Sequence, residues 1–193
     1  YILQLLYLGC QWKELPIERD NDGCPEIHYT RIYRAFRRWE ADGCIDAIFA
    51  GSVMQLHQDD LLDLTVIHGD GTTTAAKKGG DNIGFNGHKK LKGDKVVAFC
   101  DRQCNVIAPF VSAPGNRNES PLLREALPEL TRIARAVGMD LEGSIVSLDG
   151  VYDCRANRKA IFNRGMIPNI NPNSRGRKQP KRGRKPFFDP AIF

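Results

Sequence analysis

The chain has 193 residues, 41% of them hydrophobic, which is enough for a packed core and excludes a disordered polymer. Its longest apolar runs, Ile2 to Leu8 and Val96 to Cys100, fall short of the ~18–20 residues of a membrane span, so no membrane association is expected. The net charge of +5 is modest but uneven: Cys154 to Phe188 holds eleven cations and no acid, which points to a polyanionic partner.

No charged segment precedes the leucines that follow Tyr1, so no secretion signal is read there, and the natural start is expected upstream. The cysteines Cys10, Cys24, Cys44, Cys100, Cys104 and Cys154 form no C-x-x-C pair and lack a matching histidine spacing. Neither a zinc site nor a disulfide framework is expected from them; reduced thiols are.

Ile2 to Leu8 reads as a short helix that Gly9 can end in a left-handed cap. A second helix is predicted from an N-cap at Thr30 to about Ala41, with Gly43 just beyond it. Ile32, Phe36 and Trp39 form its core stripe, and Arg31, Arg34 and Arg38 recur on a basic face. A third helix over Ile45 to Leu56 should break or bend near Gly51.

From Leu64 the pattern becomes α/β. Thr65 to His68 is a short β-rich run leading into Gly69-Asp70-Gly71. A glycine-rich loop from Lys77 to Gly87 follows, then β-rich runs over Lys95 to Cys100 and Val106 to Val111, joined by hairpin-like turn residues 101–105. After a loop from Pro114 to Asn118, Ser120 is the expected cap of a helix from Pro121 to about Val137, closed by Gly138. Ser144 to Leu148 is a strand ending at Asp149-Gly150, Arg155 to Asn163 a basic helix, and Ile167 to Ile170 a further strand. Strand, hairpin, then helix-linked strands predict a mixed sheet with helices packed on it.

Asp70 and Asp149 each follow a β-rich run and precede a glycine. Strand ends are where α/β sheets present active groups. If the strands are neighbours, two carboxylates meet, and a divalent cation such as Mg²⁺ would relieve their repulsion and take phosphate oxygens as further ligands. The alternative is that Asp-Gly after a strand is only a turn.

Several ordered motifs carry a resemblance to a known family. Gly9-Cys10-Gln11-Trp12-Lys13-Glu14-Leu15-Pro16, then Arg37-Arg38-Trp39 with Gly43, resemble N-terminal elements of the insertion-sequence-five group of bacterial DDE transposases. Asp70-Gly71-Thr72-Thr73 looks like the family's first catalytic Asp with its hydroxyl residues. Gly87-His88-Lys89 to Asp101 is similar to the hairpin after it. Pro114-Gly115-Asn116 and Glu119-Ser120 match the loop before its helix, and Leu148-Asp149-Gly150-Val151-Tyr152-Asp153 resembles the second catalytic Asp with its trailing Tyr-Asp.

The resemblance implies an α/β, ribonuclease H-like domain over 59–193, preceded by a helical region over 1–58 that could bind DNA. It implies a catalytic site in which Asp70 and Asp149 bind Mg²⁺ or Mn²⁺. Water would attack a phosphodiester at a transposon end, and the freed 3′-hydroxyl would then attack target DNA. The family's third carboxylate, a glutamate on a later helix, is not present: Phe187-Phe188-Asp189-Pro190 looks like the stretch before that helix, and no glutamate follows Glu142. The catalytic domain is therefore expected to lack its C-terminal part. A homodimer on transposon-end and target DNA, in a bacterial cytoplasm and nucleoid-associated when bound, is expected. Rival readings are a metal-dependent nuclease and a catalytically dead DNA-binding repressor or remnant.

Candidate DNA contacts are Arg31, Arg34 and Arg38, the hairpin lysines Lys89 and Lys90 (with Lys92), and the run Arg175, Arg177, Lys178, Lys181, Arg182, Arg184 and Lys185. The α2 and hairpin groups could equally be solvated basic faces; the 175–185 run could be a localisation-like basic stretch or a nonspecific clamp, and its place before the expected active helix favours the clamp. His68 could ligate a metal, but a structural histidine is the expectation. Asp153 is read as a helix N-cap rather than a supporting carboxylate, and Trp12 and Trp39 as core.

Overall fold

A computed structural model describes residues 1–76, 82–173 and 186–193. It divides into two compact units, Tyr1–Phe49 and Ala50–Phe193.

In the first unit, α1 spans Ile2–Leu8 and ends, as expected, at Gly9 in the left-handed conformation (φ 61°). α2 spans Tyr29–Ala41. Its cap is His28, whose ring accepts from the backbone N–H of Thr30, so the helix starts earlier than a Thr30 cap would set it. Ile2, Leu5, Leu15 and Ile32 form the core of the unit, and Trp12 packs against it with Phe36. The Trp12 ring meets Tyr33 edge-on at 5.3 Å and Phe36 at 5.2 Å, as a core role requires. Trp39 departs from its expectation: it remains 36% exposed. Seven positions after Ile32 on a 3.6-residue period, it lies about 20° off the stripe that Ile32 sets. α3 runs unbroken over Cys44–Gln58, beginning in this unit and ending in the second, so Gly51 does not interrupt it.

The second unit is a mixed α/β layer. β1 is Val66–Ala75, β2 Gly84–Asn86, β3 Leu91–Cys100, β4 Val111–Pro114, β5 Ile145–Leu148 and β6 Ile167–Ile170. The sheet order is β2-β3-β1-β5-β6, with β4 also on β3. β1, β3, β4 and β2 pair antiparallel, whereas β1–β5 and β5–β6 are parallel. α4 (Glu119–Val137) and α5 (Arg155–Phe162) are the flanking helices. This is the mixed sheet with packed helices expected from the chain order.

Several boundaries differ from the sequence expectation. β1 does not stop at His68: β3 runs beside it from His68↔Cys100 to Ala75↔Gly93, so Asp70 and the threonines have ladder partners. Gly69-Asp70-Gly71 is therefore strand, not turn. β4 begins at Val111 rather than Val106, because Pro109 has no N–H to give a ladder; Val106 makes one isolated bridge to Cys100. The caps of α4 and α5 are Asn118 and Cys154 instead of Ser120 and Asp153. Asn118 Oδ1 accepts from Ser120 N at 3.0 Å, and Asp153 faces Arg158 instead.

Alternation along the strands gives the sheet two unequal sides. Gly69 and Gly71 of β1, Lys95, Val97 and Phe99 of β3, and Val146 and Leu148 of β5 share the side covered by α4, whose Leu122, Leu123, Ala126, Leu127 and Leu130 are buried. His68, Asp70 and Thr72, with Val96, Ala98 and Cys100, lie on the other side, where burial is only partial. No helix among the described residues is long and apolar enough to cross a membrane.

Candidate active site

The parallel ladder of β1 and β5 pairs Val66↔Ile145, Ile67↔Val146 and His68↔Ser147, an offset of 79 residues. Asp70 and Asp149 are separated by the same 79 positions. They lie two residues beyond the last pair, level with one another, with the same parity as His68 and Ser147. Adjacent strands run ~4.8 Å apart, so this register brings the two carboxyl-bearing positions side by side. β5 stops at Leu148, and Asp149 starts a single 3-10 turn, Gly150–Tyr152, by accepting from Val151 N at 2.9 Å. Asp70 Oδ1 takes the next backbone N–H, that of Gly71, at 2.7 Å.

Asp149 feels the charge of Asp70. Burial pushes the Asp149 carboxyl above its ordinary range, and the negative charges of Asp70 and Glu119 add to the rise against the lowering effect of the Val151 N–H. Tyr152 is buried completely, and its hydroxyl pKa is pushed up by burial first, then by Glu119, Asp70 and Asp149. It therefore stays an O–H donor, yet among the described residues its oxygen has no hydrogen-bond partner.

Gly71 explains how these groups fit together. A Cβ at this position would stand 2.7 Å from the Tyr152 hydroxyl oxygen and 3.0 Å from Glu119 Cγ and Cδ. Gly69 is bare for a similar reason: a Cβ there would lie 2.6 Å from Leu148 Cδ2. The two glycines flanking Asp70 thus let β1 lie against the elements that carry Asp149, Tyr152 and Glu119.

Glu119 belongs to the α4 side. Its Oε1 is 3.1 Å from Lys95 Nζ, and Lys95 also donates to the Arg117 carbonyl at 2.8 Å. Asp70 projects from the opposite side of β1. Among the described residues no three of His, Cys, Asp and Glu are close enough together to hold a metal ion. Two neighbouring carboxylates do suit one hard cation, since Mg²⁺ retains waters and is commonly held by one or two carboxylates plus phosphate oxygens. Lys95 was not singled out from sequence, although a signal exists: it has the inward parity of Val97 and Phe99, and a buried lysine requires a partner.

The remaining candidates fall elsewhere. Arg31, Arg34 and Arg38 are exposed on α2 and, with Arg37, line a shallow groove of about 480 Å³ in the first unit. Arg37 is paired with Glu40 at 2.6 Å. Lys89 and Lys90 are exposed in the β2–β3 turn, which Asn86 Oδ1 shapes by accepting from His88 and Lys89 N–H. Arg175, Arg177, Lys178, Lys181, Arg182, Arg184 and Lys185 lie outside the described residues. His68 is half-buried in β1, and its carbonyl receives the Cys100 thiol.

No family model matches the sequence, and no curated protein does. Solved structures similar to the chain include a piggyBac transposase synaptic complex with hairpin DNA, with a TM-score of 0.46 and 15% identity over 64% of this chain. They also include the Mos1 transposase paired-end complex with left transposon end, with a TM-score of 0.39 and 14% identity over 66% of this chain. The chain spans 27% of the first of those proteins and 40% of the second.

Proposed function

We propose that the chain is a DNA transposase of the DDE type, with Asp70 and Asp149 as the carboxylates that hold Mg²⁺ or Mn²⁺ against DNA phosphates. The observation that carries this reading is the shared 79-residue offset, which sets the two aspartates level at the end of the parallel β1–β5 ladder. A Mg²⁺ or Mn²⁺ ion bound there would offset phosphodiester charge and acidify a water. The chain's own part is to keep two hard oxygen donors together at an open face, each tied to a neighbouring backbone N–H. The motif resemblance adds the substrate: a transposon end that is cut, and a target that the freed 3′-hydroxyl joins.

A second reading is favoured by Glu119. Glu119, the other acid that acts on Asp149, is paired with Lys95 on the α4 side of the sheet, so the described residues offer two site carboxylates rather than three. It would then act as a DNA-binding protein without strand cleavage. Mn²⁺ binding, followed by electron paramagnetic resonance, tests the core of both. Binding that is lost in Asp70→Asn and in Asp149→Asn supports the metal site; binding that survives both substitutions removes it. Strand-transfer assays with paired transposon ends then separate a transposase from a simple nuclease.

A further inference from the structure

Among the described residues, Lys95 is the one buried lysine or arginine. It stands opposite Thr73 in the β1–β3 ladder, on the α4 side of the sheet with Val97 and Phe99. Its ammonium meets Glu119 Oε1 at 3.1 Å and donates to the Arg117 carbonyl at 2.8 Å. The Lys95 and Glu119 side chains are only 9% and 19% exposed, so salt screens this pair little.

Stability does not account for the lysine. Desolvation offsets the attraction of a buried ion pair, and apolar side chains of similar size often serve as well. Glu119 would suit the first turn of α4 without a lysine beside it, because an acid there complements the helix dipole. What Lys95 adds is control of a charge next to the candidate site.

Glu119 lies over Gly71, the residue after Asp70. Its Cγ and Cδ stand 3.0 Å from where a Gly71 Cβ would be, and the Tyr152 hydroxyl oxygen stands 2.7 Å from the same point. With no side chain on Gly71, only the β1 backbone separates the Glu119 carboxyl from the face that carries Asp70. Glu119 and Asp70 both act through their charge on Asp149 and on Tyr152. An unbalanced third negative charge at this place draws a cation towards the aspartates and repels a DNA phosphate that approaches the same ion. The Lys95 ammonium supplies the balance.

We infer that Lys95 is a positioning residue for the candidate site: it holds Glu119 on the α4 side and cancels its charge, so that Asp70 and Asp149 alone set the affinity for a divalent cation and the approach of a phosphate. This rests on the metal-and-DNA reading above.

The test uses the whole 193-residue chain, with Mn²⁺ binding followed by electron paramagnetic resonance and metal-free duplex DNA binding by fluorescence anisotropy. Lys95→Met leaves the Glu119 charge unbalanced, so Mn²⁺ affinity should rise about fivefold and DNA affinity should fall about threefold. Glu119→Gln keeps the shape and leaves the Lys95 charge unbalanced, so both shifts should reverse in sign. Lys95→Met/Glu119→Gln restores the balance and should bring both affinities back to within about twofold of the native chain.

A pair that only held the fold would move both affinities the same way in each single variant. Glu119→Gln is isosteric, so it decides the matter even where Lys95→Met does not fold. Mn²⁺ affinity that is unchanged or raised in Glu119→Gln, or DNA affinity that does not rise there, overturns the proposal. So does a double variant that binds Mn²⁺ as weakly as Glu119→Gln, because Glu119 would then be a ligand itself. Native Mn²⁺ binding that survives Asp70→Asn and Asp149→Asn, or a native chain that binds no duplex DNA, refutes the underlying reading instead, and the proposal falls with it.

Discussion

The hydroxyl oxygen of Tyr152 occupies the space that a side chain at position 71 would need, 2.7 Å from where the Cβ would be. Gly71 follows Asp70 and Tyr152 follows Asp149 by three residues, so this contact locks the two halves of the candidate site together. The hydroxyl is buried without a partner among the described residues, a situation that disfavours the folded state by roughly 1–3 kcal/mol. Tyr152→Phe should therefore keep or raise stability in denaturant titrations. Gly71→Ala should lower it by about 1–3 kcal/mol, the usual range for overpacking. Part of that loss should be recovered in the Tyr152→Phe background, where the nearest clashing atom is absent. Equal losses in both backgrounds would mean that the clash lies with Glu119.

The raised pKa of Asp149 gives a pH signature. A carboxyl that binds its proton more tightly in the folded state makes the fold most stable, on its account, below the unfolded Asp value. That contribution is lost as pH rises through the raised folded value. Asp149→Asn should flatten this decline. Asp70→Asn removes one of the charges that raise it, so carbon-13 titration should find the Asp149 carboxyl shifted down towards the ordinary range. No movement on Asp70→Asn would show that burial and Glu119 alone perturb it.

On cleavage, the expectation for the 193-residue chain is negative. Two carboxylates leave a cation with few protein ligands, and a reacting oxygen misplaced by about 1 Å can lower a rate ~10²-fold. The chain should bind DNA and neither cut nor join it in gel assays with millimolar Mn²⁺. Efficient metal-dependent cleavage would contradict this, and Glu119→Gln and Lys95→Met would then show whether Glu119 turns towards the site.

The arginines of α2 and the basic run should separate by salt dependence. Each phosphate neutralised contributes about 0.9 to the slope of log K against log salt. Neutralising Arg31, Arg34 and Arg38 should lower the slope more than Arg37→Gln does, since Arg37 is already paired with Glu40. Neutralising Arg175, Arg177, Lys178, Lys181, Arg182 and Arg184 should lower it further. A slope indifferent to either group would remove that group from the DNA contact.

Much of this protein was legible in its local chemistry. Gly9 and Gly138 stop their helices because each ends in a left-handed residue that glycine adopts without strain. The runs that became β5, α5 and β6 were readable because apolar periodicity and flanking turn residues are properties of neighbouring positions. Asp70 and Asp149 were identifiable as candidates from local motifs alone. Caps were less legible: His28, Asn118 and Cys154 took the roles assigned to Thr30, Ser120 and Asp153, because several adjacent polar residues can each accept the same N–H.

Partnership across distance was decided by the tertiary structure. β1 continues to Ala75 because β3 lies beside it, a fact about residues 91–100 that no pattern in 66–75 contains. The offset of 79 exists only once β1 and β5 are neighbours, and only then do Asp70 and Asp149 become a pair. Alternation of side chains across the sheet set Glu119 with Lys95 rather than with the aspartates. Sequence determines which groups the chain carries and how each short stretch prefers to bend. The packing of distant strands, through burial and ladder pairing, determines which of those groups share one face.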